Sequence, residues 1–258
     1  MFLLRIAFLL LLVIRFFTSG LEAQSEIYKE ISCDGGYEFD STLFFCQLKA
    51  DDFPEMDTKV GTQLFGPYFD HFPQICSDIN SALTYFPELE RVKIRFSYKP
   101  IRQTMNSRPS PLNIFRTKDK WHYTIIVNNN KGRHKGLCFE NLSYTIKVGW
   151  VGHELSHIIE YQQLNRAETI AFALKYVFSK SFVRSVERYT DFLAIEHGLA
   201  FPLYNGTEFL LNCNDIDTKY HNYAVVNGLS LSEIKCLWSK YYYKRMLISL
   251  GKQVKEDQ

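Results

Sequence analysis

The sequence has little net charge, no repeated segment and no run of low complexity. Its 30 Lys and Arg residues nearly balance 28 Asp and Glu residues, which leaves a formal charge of +2. This balance gives no argument for a nucleic acid or an anionic membrane as a partner. No Cys-x-x-Cys pair occurs, which argues against a metal site built from cysteines. Beyond the N-terminus there are no hairpins of membrane-spanning apolar runs.

Aromatic side chains are abundant instead, with 16 Tyr and 21 Phe in a chain of 258 residues. A composition this rich in apolar groups is typical of folded proteins rather than disordered ones. The length suits one domain with a sizeable core, or one domain with a small appendage.

Residues 1–23 are predicted to be a secretory signal peptide that takes no part in the fold. Arg5 precedes an apolar run, and Ala23 ends a segment that resembles a cleavage site. The alternative is an uncleaved membrane anchor, which is less favoured because Arg15 shortens the apolar run below a bilayer span. The protein is therefore expected to be secreted or periplasmic, with residues 24–258 as a single domain.

Six cysteines lie in the predicted mature chain, and an exported protein meets an oxidising compartment that favours disulfides. Residues 24–60 are predicted to form a loop-rich N-terminal cap. Sequence alone does not select one pairing among those that six cysteines allow. Pairing between near neighbours predicts Cys33–Cys46, Cys76–Cys138 and Cys213–Cys236.

One apolar segment carries the strongest chemical signal, the pattern His-Glu-x-x-His at 153–157. On a helix, residues four apart lie on one face, so His153 and His157 could grip one metal ion. Zinc accepts nitrogen and oxygen ligands, and a catalytic zinc site keeps one position for water. Glu154 is placed to take a proton from such a water. The alternative is an ordinary core helix whose two histidines hydrogen-bond to neighbours.

The third metal ligand is expected downstream, where Glu187 and Asp191 stand four residues apart on a second predicted helix. Glu187 can ligate the metal, and Asp191 can accept the free N–H of a zinc-bound histidine. The alternative is a solvated helix face. The apolar residues around the pair, among them Val183 and Val186, recur at helical spacing and favour the site.

These residues together resemble a gluzincin-type zinc metallopeptidase. The motif at 153–157 followed by Glu187 and Asp191 is similar to the thermolysin group and to the CAAX prenyl proteases and heat-shock membrane peptidases. A metzincin fits less well, because Glu160 and Gln163 stand where Gly and a third His would follow the motif. The likeness covers only the stretch from the first motif to the second, and the short exported form is closest to small secreted zincin-like proteins.

The resemblance implies an α+β zincin-like fold, in which a small mixed sheet packs on an active-site helix and a C-terminal helical half. It implies hydrolysis of a peptide or protein substrate by a water that Zn²⁺ activates, with no nucleic acid involved. His153, His157 and Glu187 would hold the zinc, Glu154 would act as general base, and Asp191 would orient the first zinc histidine. Two alternatives remain open: a catalytically inactive zincin-like scaffold of the envelope or extracellular space, and a metal-free structural protein.

Strands are predicted at 92–98 and 121–128, with a Pro- and Ser-containing loop at 102–111 between them. In zincins a sheet strand borders the cleft, and the resemblance implies that the second strand binds an extended substrate by strand addition. The alternative is a plain interior strand. The substrate-binding residues predicted in this way are Tyr123, Ile125 and Val127.

Two further histidines are candidates for stabilising the oxyanion that develops during peptide hydrolysis. His221, flanked by Tyr220 and Tyr223, is the predicted catalytic residue of this kind, since zinc peptidases often use His, Tyr or Arg there. His197 precedes Gly198, the expected end of the Glu187 helix. For His197 we favour a structural explanation, a cation stabilised by the helix dipole.

The remaining helices are predicted from their apolar spacing. One covers 66–86, where Pro73 suggests a kink or a late start, and a short one follows a capping box of Ser230 and Glu233. A third, at 168–179, is apolar over much of its surface. It is expected to pack on the core, with contact to a membrane surface or a lid function as the alternatives.

Overall fold

The computed structural model describes residues 76–129, 137–213 and 216–249 of the 258-residue chain. These residues form a mostly helical α+β fold with one small mixed sheet. The predicted signal peptide, the N-terminal cap and the pair Cys33–Cys46 lie outside the described residues. Within those residues, no helix combines the length and the apolar character needed to cross a bilayer.

Seven α-helices occur in the described residues, and their chain order places the His-Glu-x-x-His motif on the second of them. The N-terminal helix ends at Leu83, three residues before the predicted Phe86. The helices are α1 (Cys76–Leu83), α2 (Tyr144–Gln163), α3 (Arg166–Phe178), α4 (Lys180–Glu196), α5 (Ala200–Asn212), α6 (Thr218–Asn227) and α7 (Leu231–Ser249).

The sheet has three strands, β1 (Lys93–Lys99), β2 (Met105–Pro109) and β3 (His122–Asn128), in the order β1-β3-β2. β1 runs parallel to β3, and β2 runs antiparallel to it. The first and third strands are as predicted, whereas β2 forms where a loop was expected. Pro109 does not prevent this pairing, because it is the last residue of an edge strand.

β3 is the interior strand, with β1 paired along one edge and β2 along the other. Its side chains Tyr123, Ile125 and Val127 are buried in the core, with at most 2% of their surface exposed. The prediction that these residues bind an extended substrate by strand addition is therefore wrong. A peptide chain needs a free edge, and β3 has none.

Helix α2 crosses the centre of the fold and packs closely against α5. A Cβ atom at Gly149 would lie 2.5 Å from the carbonyl carbon and oxygen of Pro202, so only glycine fits there. A Cβ atom at Gly152 would collide with the side chain of Leu199. The two glycines let α2 approach its neighbour, while apolar residues of the same helix, among them Val151, Leu155 and Ile158, are fully buried in the core.

Two caps set the position of the next helices. Asn165 and Glu168 form a capping box at the start of α3, two residues ahead of the predicted start. The side chain of Ser179 accepts the backbone N–H of Phe182 and caps α4. Gly198, with φ of +92°, follows the end of α4 as predicted, because glycine adopts this left-handed conformation without strain.

His197 lies at the C-terminus of α4 and is not among the residues that line the cavity beside the motif. Its Nδ1 is 2.6 Å from the carbonyl oxygen of Leu193, and its Nε2 is 2.7 Å from a carboxylate oxygen of Glu88. The ring also stacks on Phe86. Both ring nitrogens thus have structural partners, consistent with the expected role at the helix end.

The predicted cysteine pairs are not formed among the described residues. Cys138, Cys213 and Cys236 are free, so Cys76–Cys138 and Cys213–Cys236 are wrong. Pairing by nearness along the chain ignores which side chains the helices bring together, and a disulfide requires specific Cβ positions.

Helix α7 begins at a capping box, as predicted, although the helix is longer than expected. The hydroxyl of Ser230 accepts the backbone N–H of Glu233, and the Glu233 carboxylate accepts the N–H of Ser230 at 2.9 Å. Arg188 of α4 donates two hydrogen bonds to the same carboxylate, at 2.5 and 3.2 Å. This ion pair joins the start of α7 to the helix that carries the second motif.

Burial raises the pKa of Glu233, but the hydrogen bonds from Arg188 and Ser230 outweigh it and lower the pKa to about 2. A depressed carboxyl pKa stabilises the fold above the ordinary value of 4.5, and this contribution is lost as the pH falls towards 2. Glu233→Gln keeps the cap but removes the charge. We expect it to lower the free energy of unfolding near pH 7 by about 1 kcal/mol.

Urea unfolding of the two proteins across the acid range measures this difference, which should shrink below pH 4.5 and vanish near pH 2. Glu90→Gln, at an exposed carboxyl, is the matched control and should behave as the wild type. A difference that stays constant down to about pH 2 would contradict the assignment.

Candidate metal centre

Helix α2 presents His153 and His157 on one face, with ring centroids 4.9 Å apart. Helix α4 places Glu187 against them. The carboxylate oxygen Oε2 is 3.3 Å from His153 Nε2 and 3.8 Å from His157 Nε2. The three ligand atoms all lie within 4.8 Å of one another, which makes these residues a group that could hold a metal ion.

Asp191, one turn beyond Glu187 on α4, fixes the orientation of His153. Its Oδ1 lies 2.8 Å from His153 Nδ1, and its Oδ2 accepts the backbone N–H of Leu229 at 2.8 Å. With both oxygens engaged, the carboxylate holds the ring so that Nε2 faces Glu187. A carboxylate behind the ligating imidazole is a usual companion of metal sites.

Thr190, one residue before Asp191, is the partner of His157. Its hydroxyl oxygen lies 2.9 Å from His157 Nδ1 and 2.9 Å from the carbonyl oxygen of Val186. Because Nδ1 is engaged by Thr190, Nε2 is the ring nitrogen on the side of Glu187.

Two phenols hold the carboxylate of Glu187 from the other side. Tyr176 of α3 donates to Oε1 at 2.5 Å, and Tyr223 of α6 donates to the same oxygen at 3.1 Å. The two hydroxyl oxygens are 3.0 Å apart. Because Oε1 is occupied by the phenols, Oε2 is the oxygen presented to the two histidines.

The charges in this cluster stabilise one another. Burial lowers the pKa of His153, but its hydrogen bonds to Asp191 and Glu187 outweigh burial and hold the pKa well above its usual range. Burial raises the pKa of Glu187, and the neighbouring His153 and His157 reverse this and lower it to about 2. The two carboxylates thus favour the protonated form of His153 more than water does. A metal ion bound at Nε2 would replace that proton, so affinity should fall with acidity.

Glu154 follows His153 in the sequence, and both residues line one cavity of the protein. The residue is only 7% exposed, and its Oε2 atom has no hydrogen-bond partner among the described residues. A buried carboxylate oxygen without a donor is costly. It is suited to accept a hydrogen bond from a molecule bound in the cavity.

Glu160 is a buried carboxyl that the sequence did not assign to the site. It is fully buried, and its nearest approach to His157 is 3.8 Å from Oε2 to Nδ1, beyond hydrogen-bond distance. Burial raises its pKa, against the opposing effect of His157. The acid form is therefore favoured relative to an exposed glutamate.

We call His153, His157 and Glu187 the ligand group. It lies at one wall of the cavity, whose volume is about 510 Å³. Residues 103–106, at and before the start of β2, form part of another wall. Among the described residues, no lysine or arginine lines this cavity. Much of the lining is apolar, including Trp150, Leu203, Leu210, Val225, Leu229 and Leu231.

The structure brings together five of the residues singled out in the sequence: His153, Glu154, His157, Glu187 and Asp191.

His221 is not among the residues that line the cavity, whereas its neighbours Tyr220 and Tyr223 are. Tyr220 and Tyr223, three residues apart, share one face of the helix, and His221 points about 100° away from Tyr220. The site prediction for His221 therefore selected the wrong side of α6.

Sequence reasoning missed Thr190, Tyr176 and Tyr223. Thr190 stands three residues after Glu187 and one before Asp191, so its position on the same helical face was a usable signal. The tyrosines gave no comparable signal, because each comes from a different helix and the sequence contains 16 of them.

Comparisons of the chain with models of protein families, with curated proteins and with solved structures find no match. The assignment of a metal centre therefore rests on the geometry of these residues alone.

Thr190→Val keeps the side-chain shape and removes the hydrogen-bond partner of His157 Nδ1. We expect zinc affinity to fall about tenfold, as is usual when the partner of a ligating histidine is lost. Competition with a chromophoric chelator measures the dissociation constant. Thr190→Ser keeps the hydroxyl and should bind nearly as the wild type, and a valine variant with unchanged affinity would exclude this role.

Proposed function

We propose that the protein is a zinc metallopeptidase of the gluzincin type that hydrolyses peptide bonds with an activated water. One observation carries the proposal: His153, His157 and Glu187 converge, while partners on Asp191 and Thr190 direct both Nε2 atoms to one point. Two imidazoles and a carboxylate are donors that zinc accepts, and such a set leaves a coordination position open. The chemistry of the donors thus fits zinc.

Bound zinc would lower the pKa of a water molecule and polarise the scissile carbonyl. Glu154, whose Oε2 has no partner among the described residues, would accept the proton of that water and pass it to the leaving amine. Asp191 keeps His153 oriented during this transfer, and Tyr176 and Tyr223 hold Glu187.

The substrate chain is assigned to the edge of β2 rather than to β3. β2 pairs with β3 on one side, and no other described strand pairs with it. Thr104, Met105 and Asn106 line the cavity beside the ligand group. An extended peptide that adds to this edge would have its backbone fixed by hydrogen bonds, while one side chain enters the apolar part of the cavity.

Glu154→Gln tests the proposed base. We expect the variant to retain about one zinc per chain, since Glu154 is not a ligand, and to lose peptide hydrolysis by at least about a hundredfold. Metal analysis and digestion of an unbiased peptide library measure the two properties on one preparation.

His157→Ala is the control for this pair, and it should lose both zinc and turnover. Zinc in the wild type without any turnover would support the inactive scaffold instead. Retained hydrolysis in the glutamine variant would refute the role of Glu154.

Tyr223, in place of His221, is proposed to donate a hydrogen bond to the oxyanion. Tyr223 lines the cavity, and Tyr176 also bonds Glu187, so Tyr176 could hold the carboxylate alone if Tyr223 turned to the substrate. Tyr223→Phe should lower kcat about a hundredfold with KM and zinc content nearly unchanged. Steady-state kinetics with a cleaved peptide measures this, and His221→Ala, which should retain activity, is the matched control. Unchanged kcat in the phenylalanine variant would end this assignment.

A further inference from the structure

Helix α3 exposes an apolar stripe on the side that faces away from the core. Ile170, Leu174, Val177 and Phe178 are 48%, 54%, 73% and 82% exposed. Their spacing of four, seven and eight residues places them on one helical face. The opposite face is also apolar, since Phe172 packs against Tyr161. When a helix is apolar on both faces, its outer face usually binds a partner, which can be another protein or a membrane.

The chain around this stripe carries charge of one sign. Between residues 169 and 186 there are three cations, Lys175, Lys180 and Arg184, and no carboxylate. Lys180 and Arg184 are exposed on the first turns of α4, directly after the stripe. Although the charge of the whole chain is nearly balanced, this segment holds a local excess of positive charge next to the exposed apolar side chains of α3.

A contact from α6 extends the surface. The Nε–H of Arg184 donates to the backbone carbonyl oxygen of Val226, at 2.8 Å, and the Val226 side chain is 52% exposed. We call the group of Ile170, Leu174, Val177, Phe178, Lys180, Arg184 and Val226 the α3–α4 corner. Its apolar side chains and its cations are presented together.

We infer that the α3–α4 corner docks the protein on the surface of an anionic lipid bilayer. Interfacial helices bury apolar side chains at the boundary of headgroups and acyl chains, and they place basic residues beside the phosphates. Each cation near an anionic surface adds to the attraction, which salt weakens. The inferred contact is peripheral, since it uses exposed side chains of α3 and α4 and no membrane-spanning segment.

The charge of the corner argues against a second copy of the chain as the occupant. A twofold dimer places identical patches against each other. Such a contact here would oppose Lys180 and Arg184 of one copy to the same cations of the other, with no carboxylate in the segment to balance them. An anionic lipid surface complements the same charges.

The surface also has a direct connection to the candidate metal centre. Tyr176 lies on α3 between Leu174 and Val177, and its hydroxyl donates to Glu187. One face of α3 thus meets the lipid while the other contacts the ligand group. The inference does not depend on catalysis, because lipid binding can be measured on its own.

Sedimentation with lipid vesicles tests the docking. The wild type and all variants are purified from the same secreting host, so that they share one N-terminus. The wild type should co-sediment with vesicles of phosphatidylcholine and phosphatidylglycerol, and much less with phosphatidylcholine alone. Phe178→Glu should weaken the binding about tenfold or more. Lys180→Glu should weaken it about fivefold at low salt and less at high salt.

Phe115→Glu is the matched control, because Phe115 is 79% exposed and lies outside the corner. It should bind as the wild type, and circular dichroism should show that all variants are folded. Failure of the wild type to bind anionic vesicles overturns the inference, as does an equal loss in the Phe115 and Phe178 variants. Self-association of the wild type without lipid, abolished by Phe178→Glu, would assign the corner to a second copy instead.

Discussion

The structure depends on the need to satisfy polar groups buried between α2 and α4. His157, Glu187, Thr190 and Asp191 all lie in the core with less than a tenth of their surface exposed. Each would cost several kcal/mol if left without a partner. Their hydrogen bonds join one helix to the other at fixed positions, His153 to Asp191 and His157 to Thr190. Apolar packing alone would permit several registers between two helices, but this set of partners permits one.

The surrounding fold meets that constraint with small residues and caps. Glycine at position 149 of α2 lets the backbone of α5 approach closely, and this contact fixes the position of the helix that carries the motif. The capping boxes of α3 and α7 fix where those helices begin. α3 then delivers Tyr176 to Glu187, and the chain between α6 and α7 delivers the N–H of Leu229 to Asp191.

Local spacing predicted what lies within one helix, and it failed where separate elements meet. The His-Glu-x-x-His motif and the pair of Glu187 and Asp191 each occupy a single helical face, so their geometry followed from the sequence. The interior position of β3 depended on β2, a short edge strand that contains proline and resembles a loop. Tyr176 and Tyr223 reach Glu187 from two other helices, and no periodicity in either helix indicates that meeting. The cysteine pairs failed for the same reason, since nearness in sequence does not place two thiols in contact.

The two-sided hydrogen bonding of Asp191 links the orientation of one side chain to a distant part of the chain. One carboxylate oxygen is bonded to His153 Nδ1 and the other to the backbone N–H of Leu229. The His153 ring therefore cannot turn away from Glu187 without losing its bond to Asp191 or displacing the chain between α6 and α7. A substitution in that connecting chain, far from the motif in sequence, would thus be felt first as a change in the direction of the His153 ring.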